Sequence, residues 1–191
     1  MLDKKQTRLS IRKQRKALTV KQVVESSSNV FLSLISIDAF SRANKVALYC
    51  SNENEIATDD VLQWCVDQGK SVCLPVMKSK SVLQFYEYDE HQCVLNSHGI
   101  KEPSVDTCQM VSLVDCDVIV VPLVAFDRAG GRIGRGGGYY DRALEFISGL
   151  DDGPLLVGLA YEFQEVPSCD SKSHDVALDM VVLSTPEVLS F

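Results

Sequence analysis

"CDVIVVPLVAFDRAGGRIGRGGGYYDRALEFIS", residues 116–148, is the stretch that decides the fold. It opens on an apolar run rich in β-branched residues, crosses a glycine cluster, and continues into a helix-forming pattern. A continuous apolar run predicts a strand over 116–126 that is buried on both faces, as in a parallel sheet. The residues after the loop predict a helix over 139–148. Six of the eleven glycines lie between Gly130 and Gly138. Such a cluster costs backbone entropy on folding, so something that only bare main chain can do must offset it.

The same alternation of strand and helix recurs along the rest of the chain. Residues 4–18 lack Gly and Pro and are rich in Lys, Arg, Gln and Leu, which predicts a helix. Thr19 is placed to cap a second, whose apolar positions are Val20, Val23, Val24, Val30, Phe31, Leu34 and Ile35. Strands are expected at 45–50, 71–76, 83–88, 155–161 and 179–184. "EIATDDVLQWCVDQGK" reads as a helix capped by Thr58 or Asp59 and ended by Gly69. The pattern predicts an α/β fold: a three-layer αβα domain with a mostly parallel central sheet, one domain over 1–191. In such sheets ligands bind beyond the carboxyl ends of the strands, and the 116–126 strand delivers the chain directly to the glycine loop.

Charge is unevenly distributed. Residues 1–16 carry a net +6, leaving −13 on the remainder. An acidic body repels nucleic-acid phosphates, so a nucleic-acid partner is not expected. A basic arm on such a body suits docking on its own domain or reaching a small polyanion. Seven cysteines, with no C-x-x-C pair, read as reduced thiols in a cytoplasmic protein rather than as disulfides or a zinc site. No apolar run is long enough to cross a bilayer, so no membrane partner is expected.

The glycine loop fits neither of two familiar phosphate motifs. No Gly-Lys-Ser/Thr follows it, and a G-x-G-x-x-G reading that starts at Gly134 and Gly136 meets Tyr139. The physics still applies. Gly134, Gly136, Gly137 and Gly138 can expose successive N–H groups as an anion-binding hollow, with the start of the following helix adding positive character. Arg132 and Arg135 supply charge suited to phosphate oxygens. The plainer alternative is a surface hairpin.

Residues Pro122 to Asp141 resemble, without a gap, the signature of the 5-formyltetrahydrofolate cyclo-ligase family. Further matches follow in the family's order: Lys4 and Arg8 in a Lys-x-x-x-Arg pattern, "NEIAT" (54–58), "GIKEP" (99–103) and "SHDVALDMVV" (173–182). The fold this implies is similar to that of sugar-phosphate isomerases and CoA transferases. The resemblance implies an enzyme that uses ATP and Mg2+ to close 5-formyltetrahydrofolate, with or without a polyglutamate tail, into 5,10-methenyltetrahydrofolate, acting as a monomer.

It also implies roles for individual residues. Lys4, Arg8, Arg132 and the 134–140 loop, which includes Tyr139 and Tyr140, would bind ATP. Cys50, Glu55 and the segment Arg135, Gly136, Gly137, Gly138, Tyr139 would face the folate. Asp141 and Asp175 would serve Mg2+, with Asp179 the neighbour most easily confused with Asp175. Arg12 continues the Lys4–Arg8 face as a weaker candidate, and Glu53 is separated from Glu55 only by the motif. One of the two tyrosines could equally be a core aromatic, and His174 receives no catalytic role. A protein that kept the fold as a nucleotide- or RNA-binding module is the competing reading; joint retention of Lys4, Arg8, Glu55, Asp141 and Asp175 argues against it.

Overall fold

The computed structural model describes residues 3–78, 82–96, 101–147, 149–150, 152–172 and 175–191. Gly99 and Ile100 of "GIKEP", Ser148 at the end of the expected loop helix, and Ser173 and His174 lie outside them. The chain runs α1 (Lys4–Ala17), α2 (Val20–Ile35), α3 (Asp38–Arg42), β1 (Lys45–Ala47), α4 (Asp59–Asp67), β2 (Ser71–Met77) and β3 (Leu83–Glu87). It continues through β4 (Cys93–Leu95), β5 (Lys101–Pro103), β6 (Met110–Val111), β7 (Val118–Val121), β8 (Ala125–Phe126), β9 (Arg132–Ile133) and α5 (Tyr139–Leu144). The last strands are β10 (Leu155–Ala160), β11 (Met180–Leu183) and β12 (Val188–Ser190).

The eight-stranded sheet has the order β12-β11-β10-β7-β1-β2-β3-β6. Its five inner strands, β11 to β2, pair in parallel, and β12, β3 and β6 add antiparallel edges. Strand alternation divides the core into two layers. Val46, Val118, Val120, Val157 and Leu159 pack under α2, α3 and α4 with Val30, Leu34, Phe40 and Cys65. Ala47, Ile119, Val121, Leu156 and Val181 face Leu144 of α5 and Ile147 on the other side. The expected three layers are present, with one short helix in the second outer layer.

Local chemistry explains several boundaries. Thr19 accepts the Gln22 N–H while the Gln22 side chain accepts the Thr19 N–H, a full capping box. Thr58 is the N-cap of α4 by position only, for its hydroxyl instead donates to the Tyr49 carbonyl at 2.7 Å. The expected strand 116–126 is two strands, because Pro122 lacks the N–H that would continue the ladder. Its second part turns into the β8–β9 hairpin. Gly130 in that turn has φ +77°, and a Cβ there would stand 2.6 Å from the Leu178 carbonyl oxygen. The expected helix 139–148 stops at Leu144.

Candidate active site

The chain leaves β1 in one direction toward β2 and later returns on its other side as β7, so the sheet order reverses between β1 and β7. A cavity of about 740 Å³ opens there. Its walls include Tyr49, Cys50 and Glu55 beyond β1, Pro122 and Leu123 beyond β7, and Pro75 and Met77 at the end of β2. That is the crevice where open α/β sheets bind ligands.

The glycine cluster divides between two tasks. Gly130 and Gly131 belong to the hairpin turn, where both Gly131 and Ala129 donate backbone N–H groups to Asp127 Oδ1. Gly134, Gly136, Gly137 and Gly138 line the cavity with Arg132, Arg135, Tyr139, Tyr140 and Asp141. Gly138, with φ +64°, is the N-cap of α5. That helix is only six residues long, so the positive end expected of it is weaker than the sequence pattern suggested.

Helix α1 brings its first turns to the same cavity. Lys4 and Arg8 both line it. Arg8 Nε donates to the Gly134 carbonyl at 2.8 Å, and Lys4 Nζ stands 3.8 Å from Asp175 Oδ2. Arg12 does not join them: it grips the Glu53 carboxylate at 2.7 Å and does not line the cavity. Glu55 and Glu53 are thereby separated by geometry. Glu55 is buried, lines the cavity, accepts from Arg135 Nε at 3.2 Å and Arg15 Nη1 at 3.3 Å, and has Arg135 Nη2 within 2.9 Å as an ion pair. Glu53 turns to α1, where Arg12 first and Lys16 next hold its pKa down at about 2.

The carboxylates also resolve. Asp141 and Asp175 both line the cavity. Asp179 is instead a structural residue, its Oδ2 accepting the Leu156 N–H at 2.7 Å between β10 and β11. Among the described residues no three His, Cys, Asp or Glu side chains gather as a ready-made metal cage. The Asp141 and Asp175 carboxylates are of the hard-oxygen donor type that suits Mg2+, for which substrate phosphates and water would have to complete the shell.

The aromatic residues differ in setting. Tyr140 packs edge-on against Phe85, 6.1 Å between centroids. Burial pushes its hydroxyl pKa well up, and that hydroxyl has no hydrogen-bond partner among the described residues. Tyr139 lies under the Arg142 guanidinium at 5.4 Å. Cys50 is held as a thiol, its pKa pushed up to about 11 by burial, which suits packing and not nucleophilic attack.

The model of the 5-formyltetrahydrofolate cyclo-ligase family matches residues 1–184. The chain belongs to this family. It is 35% identical over 178 residues to the 5-formyltetrahydrofolate cyclo-ligase of Haemophilus influenzae, covering 92% of this chain and 94% of that one. To the enzyme of Escherichia coli K12 of the same name it is 34% identical, covering 90% and 95%. The solution structure of Aquifex aeolicus 5,10-methenyltetrahydrofolate synthetase superposes with a TM-score of 0.85 at 29% identity, covering 99% of this chain and 93% of that one. A Mycoplasma pneumoniae synthetase at 22% identity shares the fold, with a TM-score of 0.76.

Within this cyclo-ligase site, sequence reasoning missed Arg15 and Lys172. Lys172 lines the cavity from a loop that carries no pattern. Arg15 did leave a signal, since positions 4, 8, 12 and 15 run along one helical face. Its burial was the hidden part: the whole residue is 0% exposed.

Proposed function

We propose that this chain converts 5-formyltetrahydrofolate and ATP into 5,10-methenyltetrahydrofolate, ADP and phosphate. The observation that carries this reading is a single cavity collecting Lys4 and Arg8 from the first helix, Glu55 from beyond β1, and the glycine loop with Asp141. Its volume of about 740 Å³ is in the range of small-molecule sites. Polar and apolar walls meet in it, as a triphosphate and a reduced pterin together require.

The N5-formyl group is amide-like and its oxygen is a poor leaving group. Attack of that oxygen on the γ-phosphorus expels ADP and leaves a phosphorylated iminium carbon. N10 then bonds to this carbon, loses its proton, and phosphate departs with the former formyl oxygen. Such a transfer is promoted by alignment and by charge placed around the equatorial oxygens. Lys4, Arg8 and Arg132, with the main chain of residues 134–138, would hold the phosphates. Mg2+ at Asp141 and Asp175 would neutralise part of the triphosphate charge. Glu55 would accept the pterin's N–H donors, while Cys50 and Tyr139 would pack against its ring. Arg135 touches Glu55 now and belongs to the glycine loop, which suits a residue working between the two substrates.

No helix among the described residues is long and apolar enough to span a membrane. A cytoplasmic monomer acting on folates with or without a polyglutamate tail, without nucleic acid, completes the proposal. The test is direct. Purified protein mixed with 5-formyltetrahydrofolate and MgATP should develop the near-ultraviolet absorbance of the methenyl product. ATP binding with no product would instead favour a nucleotide-binding protein without the reaction.

A further inference from the structure

Glu55 reaches the cavity from a strained turn. Glu53 and Asn54, neither of them glycine, sit consecutively in the left-handed region at φ 52° and 56°. Such conformations persist where the surroundings enforce them, and they cluster at functional sites. Here the second half of α1 provides the enforcement. Arg12 and Lys16 converge on the Glu53 carboxylate at 2.7 and 3.3 Å. Asn54 Nδ2 donates back to the Arg15 carbonyl at 3.0 Å. The Arg15 side chain closes the turn from beneath: Nε donates to the Glu53 carbonyl at 3.1 Å and Nη1 to Glu55 Oε1 at 3.3 Å.

Two guanidiniums of unlike freedom therefore share Glu55 Oε1. Arg135, on the glycine loop, has a side chain 43% exposed, whereas that of Arg15 is 1% exposed. Glu55 Oε2 accepts the Asn52 N–H at 3.0 Å. A carboxylate offers about four lone-pair sites. Arg15 and Asn52 fix the plane of the group from the protein side, and Arg135 holds a place it can give up by rotating outward. A buried guanidinium is expensive, and Nη2 of Arg15 even lacks a hydrogen-bond partner among the described residues. An apolar side chain would anchor α1 without that cost, so anchoring alone does not explain an arginine here.

We propose that Arg15 is the positioning residue for Glu55. It orients the carboxylate to receive the N–H donors of a reduced pterin, and it does so from the same helix that presents Lys4 and Arg8 to the nucleotide. The inference rests on the folate reading of the site. Arg15 does not line the cavity, so it acts through Glu55 and not on either substrate.

The experiment measures dissociation constants for 5-formyltetrahydrofolate and for ATP by calorimetry on wild type, Arg15→Met and Arg15→Lys, each with and without Glu55→Gln. Arg15→Met should weaken folate binding about 10- to 100-fold, the worth of a hydrogen bond to a charged group, while ATP binding moves less than about twofold. Arg15→Lys should recover part of the loss, since it keeps the charge without the fork. In the Glu55→Gln background, Arg15→Met should add no further loss of folate affinity. Equal losses for both ligands, or fully additive losses with Glu55→Gln, would reduce Arg15 to a fold residue and overturn the proposal. If Arg15→Met does not fold, the same cycle built on Arg15→Lys decides. A wild-type protein that binds ATP but not the formylfolate sinks the site reading itself, and the proposal with it. A wild type that binds both, beside unaffected Arg15 variants, sinks only the positioning role.

Discussion

Arg132 donates from Nη2 to the Asp141 carboxylate at 2.6 Å, while its Nε is buried with no hydrogen-bond partner among the described residues. The guanidinium is 3% exposed and the carboxylate 32%, and both line the cavity, so Asp141 is paired with a nearly buried cation while facing the same space. Its negative charge serves two neighbours: the arginine beside it and whatever cation the cavity receives.

Alanine is therefore the wrong probe of the metal role. Asp141→Ala would leave a buried charge unpaired, a loss of about 3–5 kcal/mol that mixes unfolding with chemistry. Asp141→Asn keeps an oxygen acceptor for Arg132 and removes the charge. We expect a modest drop in melting temperature, turnover lower by about 10²-fold, and a higher Mg2+ requirement. Steady-state assays across a Mg2+ titration, paired with thermal melts, check this. An Asn variant with wild-type Mg2+ dependence would take Asp141 out of the metal site.

The glycine loop can be tested without distorting it. Gly138 has φ +64° and its added Cβ would meet Arg142 Nη1 at 2.8 Å, so Gly138→Val combines backbone strain with a clash. At Gly134 an added Cβ meets only Arg132 Nη1, at 4.0 Å. Gly134→Ala should leave the melting temperature nearly unchanged. It should still raise the KM for ATP about tenfold, because a methyl group would stand where phosphate approaches the main chain. Unchanged ATP affinity in this variant would mean that the phosphates lie elsewhere.

The parts of the structure legible in the sequence are those set by local pattern. Val118 to Val121 is apolar throughout because helices and coil cover both faces, and that run alone announced a parallel strand. Thr19 marked the start of α2 in the same local way, and the structure adds Gln22 as the other half of its capping box. What stayed hidden depends on partners far along the chain. Nothing near Asp179 shows that its carboxylate caps the Leu156 N–H, and nothing near Thr58 shows that its hydroxyl turns to the Tyr49 carbonyl. Arg15 reads as one more solvated cation of a basic helix until the helix is docked. The motif match gave Glu55 over Glu53, and the reason emerges only in three dimensions, where Arg12 and Lys16 turn Glu53 away from the cavity.

Cys50 lines the cavity but should play no covalent part. Burial raises its thiol pKa to about 11, so the thiolate is scarce at neutral pH. Cys50→Ala should keep kcat within about threefold of wild type while raising the KM for the folate through lost packing. Iodoacetamide at pH 7.5 should label Cys50 slowly, as read by peptide mass spectrometry. Rapid labelling there, or loss of kcat in the alanine variant, would contradict a packing role.

Acid should loosen the turn that carries Glu55 before it affects the sheet. The Arg12 hydrogen bond, aided by Lys16, lowers the Glu53 pKa to about 2. A carboxylate depressed in the folded state contributes its full stabilisation above the unfolded value, roughly 4.3 for glutamate, and loses it as pH falls through the folded one. Asp127 is shifted the same way: burial pushes its pKa up, but the N–H groups of Cys169, Ala129 and Gly131 outweigh that. Its contribution is lost over acid pH as well. Comparing urea midpoints of wild type and Glu53→Gln isolates the Glu53 part. The gap between them should stay constant from pH 7 to about 5, narrow below roughly 4.3, and close near 2. A gap that persists unchanged at pH 2 would mean that the Glu53 contribution is packing and not charge, and the clamp from Arg12 and Lys16 would have to be abandoned.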